Sequence, residues 1–342
     1  MKNWINALVL CIVLFGCGNK KVNDRDRFFL RGNAALSEKS YDDAIKFFTE
    51  AIKIDPEYAI AYNNRGITYF EDDDLISSIS DYTKAIRVDE KFTDAYFNRA
   101  NSLIALERYD EALIDLNIVK QAYPDSSYVH FALGLSYDGL MQHEEAIGAF
   151  EKAKTLNPDN AEIYLNLAVV YYHLRQFEKA NEFLSQAFVR DSNNANYYNI
   201  KALILMEQEK YTESVEVFTK GLIEHPDDAY LLNNRGYTYL QMDSIMLAAN
   251  DINESILMDP SNLWAYRNKG IIAFLQNDFE TAERLLKRAL VKRKYVDLVY
   301  SYLGLIYLST NQKEQACQYL NLADEKGETI GNKEFIQNCQ KN

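Results

Sequence analysis

A strict period of 34 residues runs through this chain and limits what it can fold into. Steps of 34 residues in both directions from Gly134 reach only glycine or alanine, and the same steps from Ala146 reach only alanine or serine. No insertion breaks the period from about residue 25 to residue 328, which predicts nine tandem copies of one structural unit. All five prolines fall at a single position of the period: Pro56, Pro124, Pro158, Pro226 and Pro260.

Each copy is predicted to be a pair of helices. In residues 127–160, Gly134 and Tyr137 fall on one helix, and Ala146 and Phe150 fall on the next. Small residues at a helix crossing let the two helices approach closely, and large apolar residues fill the space around the crossing. Pro158 lacks the N–H that a helix interior needs, so it ends the unit. Each pair leaves an apolar face that the next pair covers, so several pairs are needed for stability.

The spacing Leu133-Gly134-x2-Tyr137, followed by Ala146-x3-Phe150 and Pro158, resembles the tetratricopeptide repeat (TPR) family. The resemblance extends over roughly nine-tenths of the chain. It implies an all-α fold, a right-handed α-solenoid superhelix of about nine TPR helix pairs whose concave groove is lined by first helices. It also implies nine tandem units over residues 25–330 and a C-terminal capping helix over residues 331–342.

The first sixteen residues have the features of a secretory signal. Lys2 precedes an apolar run from Trp4 to Phe15 that is too short to span a bilayer. The sequence Leu14-Phe15-Gly16-Cys17 resembles the lipobox of bacterial lipoproteins, which implies cleavage of residues 1–16, lipidation of Cys17 and a tether over residues 17–24. A cleaved signal without a lipid is the alternative. Because no acidic run follows Cys17, we expect an outer-membrane anchor that faces the periplasm rather than the cell surface.

Charge and motif content argue against several classes of function. The formal net charge of −13 disfavours binding to nucleic acid. The four histidines are scattered over different units, and the sequence has no HExxH, GxGxxG, GxxxxGK[ST] or GxSxG motif. We therefore expect no enzymatic activity, no cofactor and no metal.

One register of the predicted first helices is rich in asparagine. The amide side chain both donates and accepts hydrogen bonds, so a row of asparagines could pair with the backbone of an extended peptide. Tyrosine, tryptophan and arginine are common at binding hot spots. The alternative is that asparagine at this register is only a habit of the family. The predicted groove residues are Asn64, Asn98, Asn166, Asn234, Asn268, Tyr230, Trp264 and Arg267.

Two other registers change together and predict ion pairs within units two, three and seven. In these units an arginine is followed sixteen residues later by an aspartate, whereas Leu133, Leu167 and Leu303 are followed by Ala149, Phe183 and Tyr319. Independent surface charges, worth roughly 0–1 kcal/mol, are the alternative. The predicted pairs are Arg65 with Asp81, Arg99 with Asp115, and Arg235 with Asp251.

The cysteines predict a disulfide near the C-terminus. Cys11 would leave with the signal and Cys17 would carry the lipid, so that Cys317 and Cys339 remain. An even pair of cysteines in an oxidising compartment favours a bond between them, although two buried thiols would also fit the sequence.

The function predicted from these features is a non-enzymatic scaffold or assembly factor of the bacterial cell envelope. It would be held on the membrane by a lipid anchor and would bind a protein partner, as an extended peptide segment or within an envelope complex. Two other classes remain open: an accessory lipoprotein for nutrient or carbohydrate uptake, and a specificity subunit of an envelope protease or hydrolase.

Overall fold

The computed structural model describes residues 23–290 and 295–328, and in these ranges every regular element is an α-helix. None of these helices is long and apolar enough to cross a membrane. The signal, Cys17, Cys339 and the predicted capping helix lie outside the described residues. The helices are α1 (Asp24–Ser37), α2 (Tyr41–Ile54), α3 (Ala59–Glu71), α4 (Leu75–Val88), α5 (Thr93–Ala105), α6 (Tyr109–Ala122), α7 (Ser127–Gly139), α8 (His143–Leu156), α9 (Ala161–His173), α10 (Phe177–Arg190), α11 (Ala195–Glu207), α12 (Tyr211–Glu224), α13 (Ala229–Gln241), α14 (Ile245–Met258), α15 (Leu263–Leu275), α16 (Phe279–Ala289), α17 (Val299–Ser309) and α18 (Lys313–Glu325).

Odd-numbered and even-numbered helices alternate as the first and second members of pairs, so the predicted all-α fold of tandem helix pairs is confirmed. Local sequence explains where several first helices begin. Asn160, Asn194, Asp228 and Asn262 each accept a hydrogen bond from a backbone N–H in the first turn of the helix that follows. Such side-chain caps satisfy donors that have no partner inside the helix.

The turn within each pair repeats one backbone conformation nine times. The residue that closes the turn has φ between 54° and 67°, in the left-handed region, and none of the nine is glycine. Only asparagine and aspartate among side-chain-bearing residues adopt this conformation readily, and four of the nine are of these types. The nine residues are Lys39, Asp73, Glu107, Met141, Arg175, Glu209, Asp243, Asn277 and Asn311.

The described residues form two compact units, with the division between residues 149 and 150. In each, one register of the second helices supplies fully buried side chains, including Phe48 and Tyr82 in the first unit and Phe218 and Ile252 in the second. The small residues predicted at the helix crossings face this register. A Cβ atom on Gly66 would lie 2.7 Å from the Tyr82 ring, which explains why glycine is needed there.

The start of α17 departs from the period. Seven first helices, from α3 to α15, begin at one register position, and the same position on the last pair is residue 297. Instead α17 begins at Val299, and Leu298 before it has φ 64° in the left-handed region. This conformation is uncommon for a bulky side chain. Asp297 is therefore excluded from the helix that the repeat predicts for it.

Candidate functional site

The predicted asparagines form hydrogen bonds with one another in the first unit. The Asn64 side-chain amide donates to Asn33 Oδ1 at 2.8 Å, and the Asn98 amide donates to Asn63 Oδ1 at 3.0 Å. A further bond of 3.2 Å joins Asn63 to Asn64. The Asn64–Asn33 and Asn98–Asn63 bonds run between the first helices of successive pairs, and Asn63 is buried. The amides therefore tie neighbouring repeats together.

The same pattern recurs in the second unit. Asn234 donates to Asn199 at 2.8 Å, Asn233 donates to Asn234 at 2.9 Å, and Asn268 donates to Asn233 at 2.8 Å. Arg267 Nε then donates to Asn268 Oδ1 at 2.9 Å. We call these residues, with their counterparts in the first unit, the asparagine ladder. Buried polar groups need such partners, so the ladder stabilises the stack.

The structure corrects the predicted role of Asn268, which is fully buried and does not face a partner as predicted. Arg267 is only 4% exposed, and its guanidinium is in contact with the Asp297 carboxylate. Asn64, Asn98 and Asn234 are partly buried and donate within the ladder. The sequence pattern could not reveal these hydrogen bonds, because the asparagines of the ladder pair with asparagines of the adjacent helix pair.

Asn166 stands apart from the ladder, although it shares its register. Its amide donates to the Glu162 carbonyl oxygen of its own helix at 2.9 Å. Of the predicted aromatic contacts, Tyr230 is 50% exposed, whereas Trp264 is partly buried and packs against the core formed by α15, α16 and α17. Tyr230 is thus the predicted groove residue with the most accessible side chain.

A cluster that the sequence did not predict lies in the second unit. The Arg267 guanidinium sits 4.9 Å from the centre of the Tyr237 ring, within cation–π range. Its Nη1 atom lies 2.6 Å from a carboxylate oxygen of Asp297, whose side chain is 52% exposed. We call Tyr237, Arg267 and Asp297, together with Tyr172, on which the charge of Asp297 also acts, the tyrosine face. Its residues come from α9, α13, α15 and the segment before α17.

Burial and negative charge act on both tyrosines of this face. Burial, followed by the charge of Glu207, raises the pKa of Tyr172 to about 12, and the charge of Asp297 adds to the effect. Burial also raises the pKa of Tyr237, where Arg267 opposes the shift and Asp297 and Glu207 reinforce it. The negative charges of Glu207 and Asp297 thus act on both phenols, and each phenol also has an arginine that opposes the shift: Arg175 for Tyr172 and Arg267 for Tyr237. Both are neutral at physiological pH and available as hydrogen-bond donors.

Each predicted Arg–Asp pair is joined within its helix pair. Arg65, Arg99 and Arg235 each donate from Nε and Nη2 to both carboxylate oxygens of the paired aspartate, at 2.6–2.9 Å. The aspartates are at most 6% exposed, so these are buried pairs and not independent surface charges. The hydrogen bonds to Asp115 raise the pKa of Arg99. Planar bidentate pairing of this kind holds the two helices in one geometry.

A third residue in these pairs was missed. The remaining Nη1 atom of each arginine donates to a threonine of the preceding helix pair, at 2.8 Å for Thr49, 3.0 Å for Thr83 and 3.2 Å for Thr219. Each threonine lies sixteen residues before its arginine, and threonine occurs at this register only in these three places. That coincidence was readable in the sequence. The arginines therefore connect three helices each.

Near the C-terminus, Cys317 lies on α18 and is disulfide-bonded. Its pairing with Cys339 stays a prediction, because Cys339 lies outside the described residues. The lipidation of Cys17 stays a prediction for the same reason.

Sequence comparisons connect the repeat to a known family. Sequence models of the tetratricopeptide repeat match residues 32–73, 59–92, 94–126, 141–204 and 299–325, which together make up more than half of the chain. Among curated proteins, the heat shock protein sti1 homolog of Schizosaccharomyces pombe is 41% identical over 51 residues. That match covers 15% of this chain and only 9% of the relative.

Solved structures share the fold at low identity. A tetratricopeptide repeat protein from Parabacteroides merdae has 18% identity and a TM-score of 0.61, covering 72% of this chain and 98% of its own. The Cut9–Hcn1 hetero-tetramer of the APC/C has 14% identity and a TM-score of 0.62, covering 92% of this chain and 76% of its own. At these identities the likeness concerns the fold alone.

Proposed function

The chain belongs to the tetratricopeptide repeat family, whose members typically mediate protein–protein interaction, and we propose that its second unit binds an extended segment of a protein partner. The binding surface is the tyrosine face together with Tyr230. The chain acts as a scaffold, without chemistry of its own.

The tyrosine face carries this proposal. It combines phenols on α9 and α13, a guanidinium on α15 and a carboxylate just before α17, and Tyr and Arg are residue types enriched at binding hot spots. Phenol and carboxylate groups can pair with the amides of an extended chain at fixed intervals. The ladder amides are engaged within the stack, so recognition falls to these side chains instead.

We further propose that this scaffold works in a bacterial envelope, anchored through Cys17 to the outer membrane on its periplasmic side. The support is the sequence Leu14-Phe15-Gly16-Cys17 after a short apolar run. More than one acyl chain on the mature N-terminus would hold the protein firmly on a membrane. Residues 17–24 would then join the anchor to the first helix pair.

Site-specific photo-crosslinking tests the proposed face. A benzoyl-phenylalanine is placed at Tyr230 in the full chain, and in a second protein at Leu257, which is 73% exposed on the second helix α14. We expect the Tyr230 position to capture one protein species in intact cells, with crosslinked peptides that map to a single segment of it. Capture from Leu257 but not from Tyr230 would contradict the proposed face.

Metabolic labelling tests the anchor. We expect the full chain to incorporate an alkyne analogue of palmitate and to sediment with outer membranes. The Cys17→Ser variant should lose both properties, while Cys11→Ser, which lies in the proposed signal, should keep them. Labelling that survives Cys17→Ser would remove the lipoprotein proposal and leave the binding proposal untouched.

A further inference from the structure

We propose that Asp297 stands in for a carboxylate of the partner, and that an Asp or Glu side chain of the bound segment replaces it on Arg267. This inference rests on the proposed function, because Arg267 belongs to the proposed binding face. It adds the chemistry of one partner residue and an internal competitor for the site.

Arg267 requires a negative partner. Arg267 is 4% exposed, and its guanidinium is in contact with the Tyr237 ring, Asn268 and Asp297. Among the contacts described for it, only Asp297 supplies a negative charge, at 2.6 Å. A buried cation without an opposite charge is costly, so a ligand that displaces Asp297 must bring an anionic group of its own, which within a peptide segment is the carboxylate of Asp or Glu.

Asp297 is placed so that it can be exchanged. Its side chain is 52% exposed, whereas the Asp81 side chain, which is paired with Arg65, is 3% exposed. The partner of Asp297 therefore remains reachable from solvent once the contact opens. An exposed carboxylate also gains full hydration when it leaves, which offsets much of the attraction that is lost.

Backbone conformation near Asp297 favours release further. The repeat places residue 297 at the first position of a helix, but α17 begins at Val299 and Leu298 has φ 64°. A left-handed leucine is strained, and strained residues of this kind are found at ligand clamps. When a partner carboxylate occupies Arg267, Leu298 is free to return to an unstrained conformation.

The matched control is the pair Arg25 and Asp55 in the first unit. It has the same sequence separation of 30 residues and a comparable N–O distance of 2.7 Å. The Asp55→Asn variant therefore makes the same change in charge as Asp297→Asn, but at a residue outside the tyrosine face.

Peptide display on the full chain tests the inference. A library of random dodecapeptides, each displayed as an amino-terminal fusion so that its carboxyl end is not free, is selected on the wild type, Asp297→Asn and Asp55→Asn. We expect peptides selected on Asp297→Asn to carry Asp or Glu at one fixed position. The selected peptide that binds Asp297→Asn most tightly, made synthetically, should bind the wild type and Asp55→Asn with about tenfold lower affinity than it binds Asp297→Asn. When the fixed acid of this peptide is changed from Glu to Gln or from Asp to Asn, its affinity for Asp297→Asn should fall about tenfold.

Three results would count against the proposal. Peptides that bind the wild type and Asp297→Asn equally would show that Asp297 does not compete, and peptides without a fixed acid would show that Arg267 does not select a carboxylate. Both would leave the proposed binding face standing. Failure of every protein to select any peptide would overturn the proposed function as well. The peptide-side substitution keeps the test independent of how well an Arg267→Gln variant folds.

Discussion

Arg65 on α3 and Asp81 on α4 are joined by two parallel hydrogen bonds of 2.6 and 2.9 Å, and Asp81 is 2% exposed. Removal of one member of a buried pair leaves the other charged and unpaired. We expect Asp81→Ala to lower the free energy of unfolding by about 3–5 kcal/mol, measured by urea denaturation.

The control for Asp81→Ala is Glu111→Ala. Glu111 also receives two hydrogen bonds from an arginine, Arg108, but its side chain is 54% exposed. The Glu111→Ala variant should have the same midpoint of urea denaturation as the wild type. Equal losses from the two variants would mean that burial does not set the strength of the Arg–Asp pairs.

Asn268→Ala separates a structural asparagine from a binding one. The substitution leaves Asn233 without a donor and Arg267 Nε without an acceptor, both in buried positions. We expect a loss of roughly 1–3 kcal/mol for each buried group left unsatisfied, read from urea denaturation. Asn166→Ala, at the same register but bonded within its own helix, should cost far less. Unchanged stability in Asn268→Ala with lost partner capture would restore the predicted contact role.

Much of this architecture could be predicted because it is periodic. The helix pairs, the small crossing residues and the Arg–Asp pairs each leave a mark at a fixed register, so one chain supplies nine comparisons. Gly66 opposite Tyr82 and Arg65 opposite Asp81 are consequences that repeat along the chain. Even Thr49, Thr83 and Thr219 carried a signal, since each precedes its arginine by sixteen residues.

What could not be predicted is what breaks the period or depends on side-chain direction. Asp297 occupies the register of a helix start, and only the structure reveals that Leu298 diverts the chain so that Asp297 meets Arg267. The asparagines were predicted to contact a partner, and the structure differs from that prediction for another reason. A register of asparagines has the same appearance whether its amides face a ligand or the next repeat, and hydrogen-bond partners decide between the two.

Met141→Gly tests the cost of the left-handed turns. Met141 has φ 59° and is 80% exposed, so the substitution removes few contacts. A left-handed residue with a Cβ costs roughly 1–2 kcal/mol, while glycine costs about 0.4–1 kcal/mol through the entropy of the unfolded chain. We therefore expect Met141→Gly to raise the free energy of unfolding by about 0.5–1 kcal/mol.

Asn277→Gly is the comparison for this turn. Asn277 has φ 62° at the same register and closes its turn with the same backbone hydrogen bonds as Met141. Asparagine tolerates the left-handed region, so this variant should gain nothing or lose slightly in stability. A larger gain at Asn277 than at Met141 would exclude backbone strain as the cause.

The raised pKa of Tyr172 predicts how the free energy of unfolding changes at alkaline pH. Burial is the leading cause that raises its pKa to about 12 in the folded chain, whereas an unfolded tyrosine ionises near pH 10. Below pH 10 both states are protonated and the neutral phenol contributes fully to the folded state. Between pH 10 and pH 12 the unfolded chain loses the proton first, so stability falls as the pH rises, by about 1.4 kcal/mol per pH unit at most. We expect Tyr172→Phe to lose less stability than the wild type between pH 8 and pH 11 in urea denaturation, with a difference of about 1 kcal/mol. Parallel losses in the two proteins would mean that the phenol of Tyr172 is ionised as easily in the folded chain as in the unfolded one.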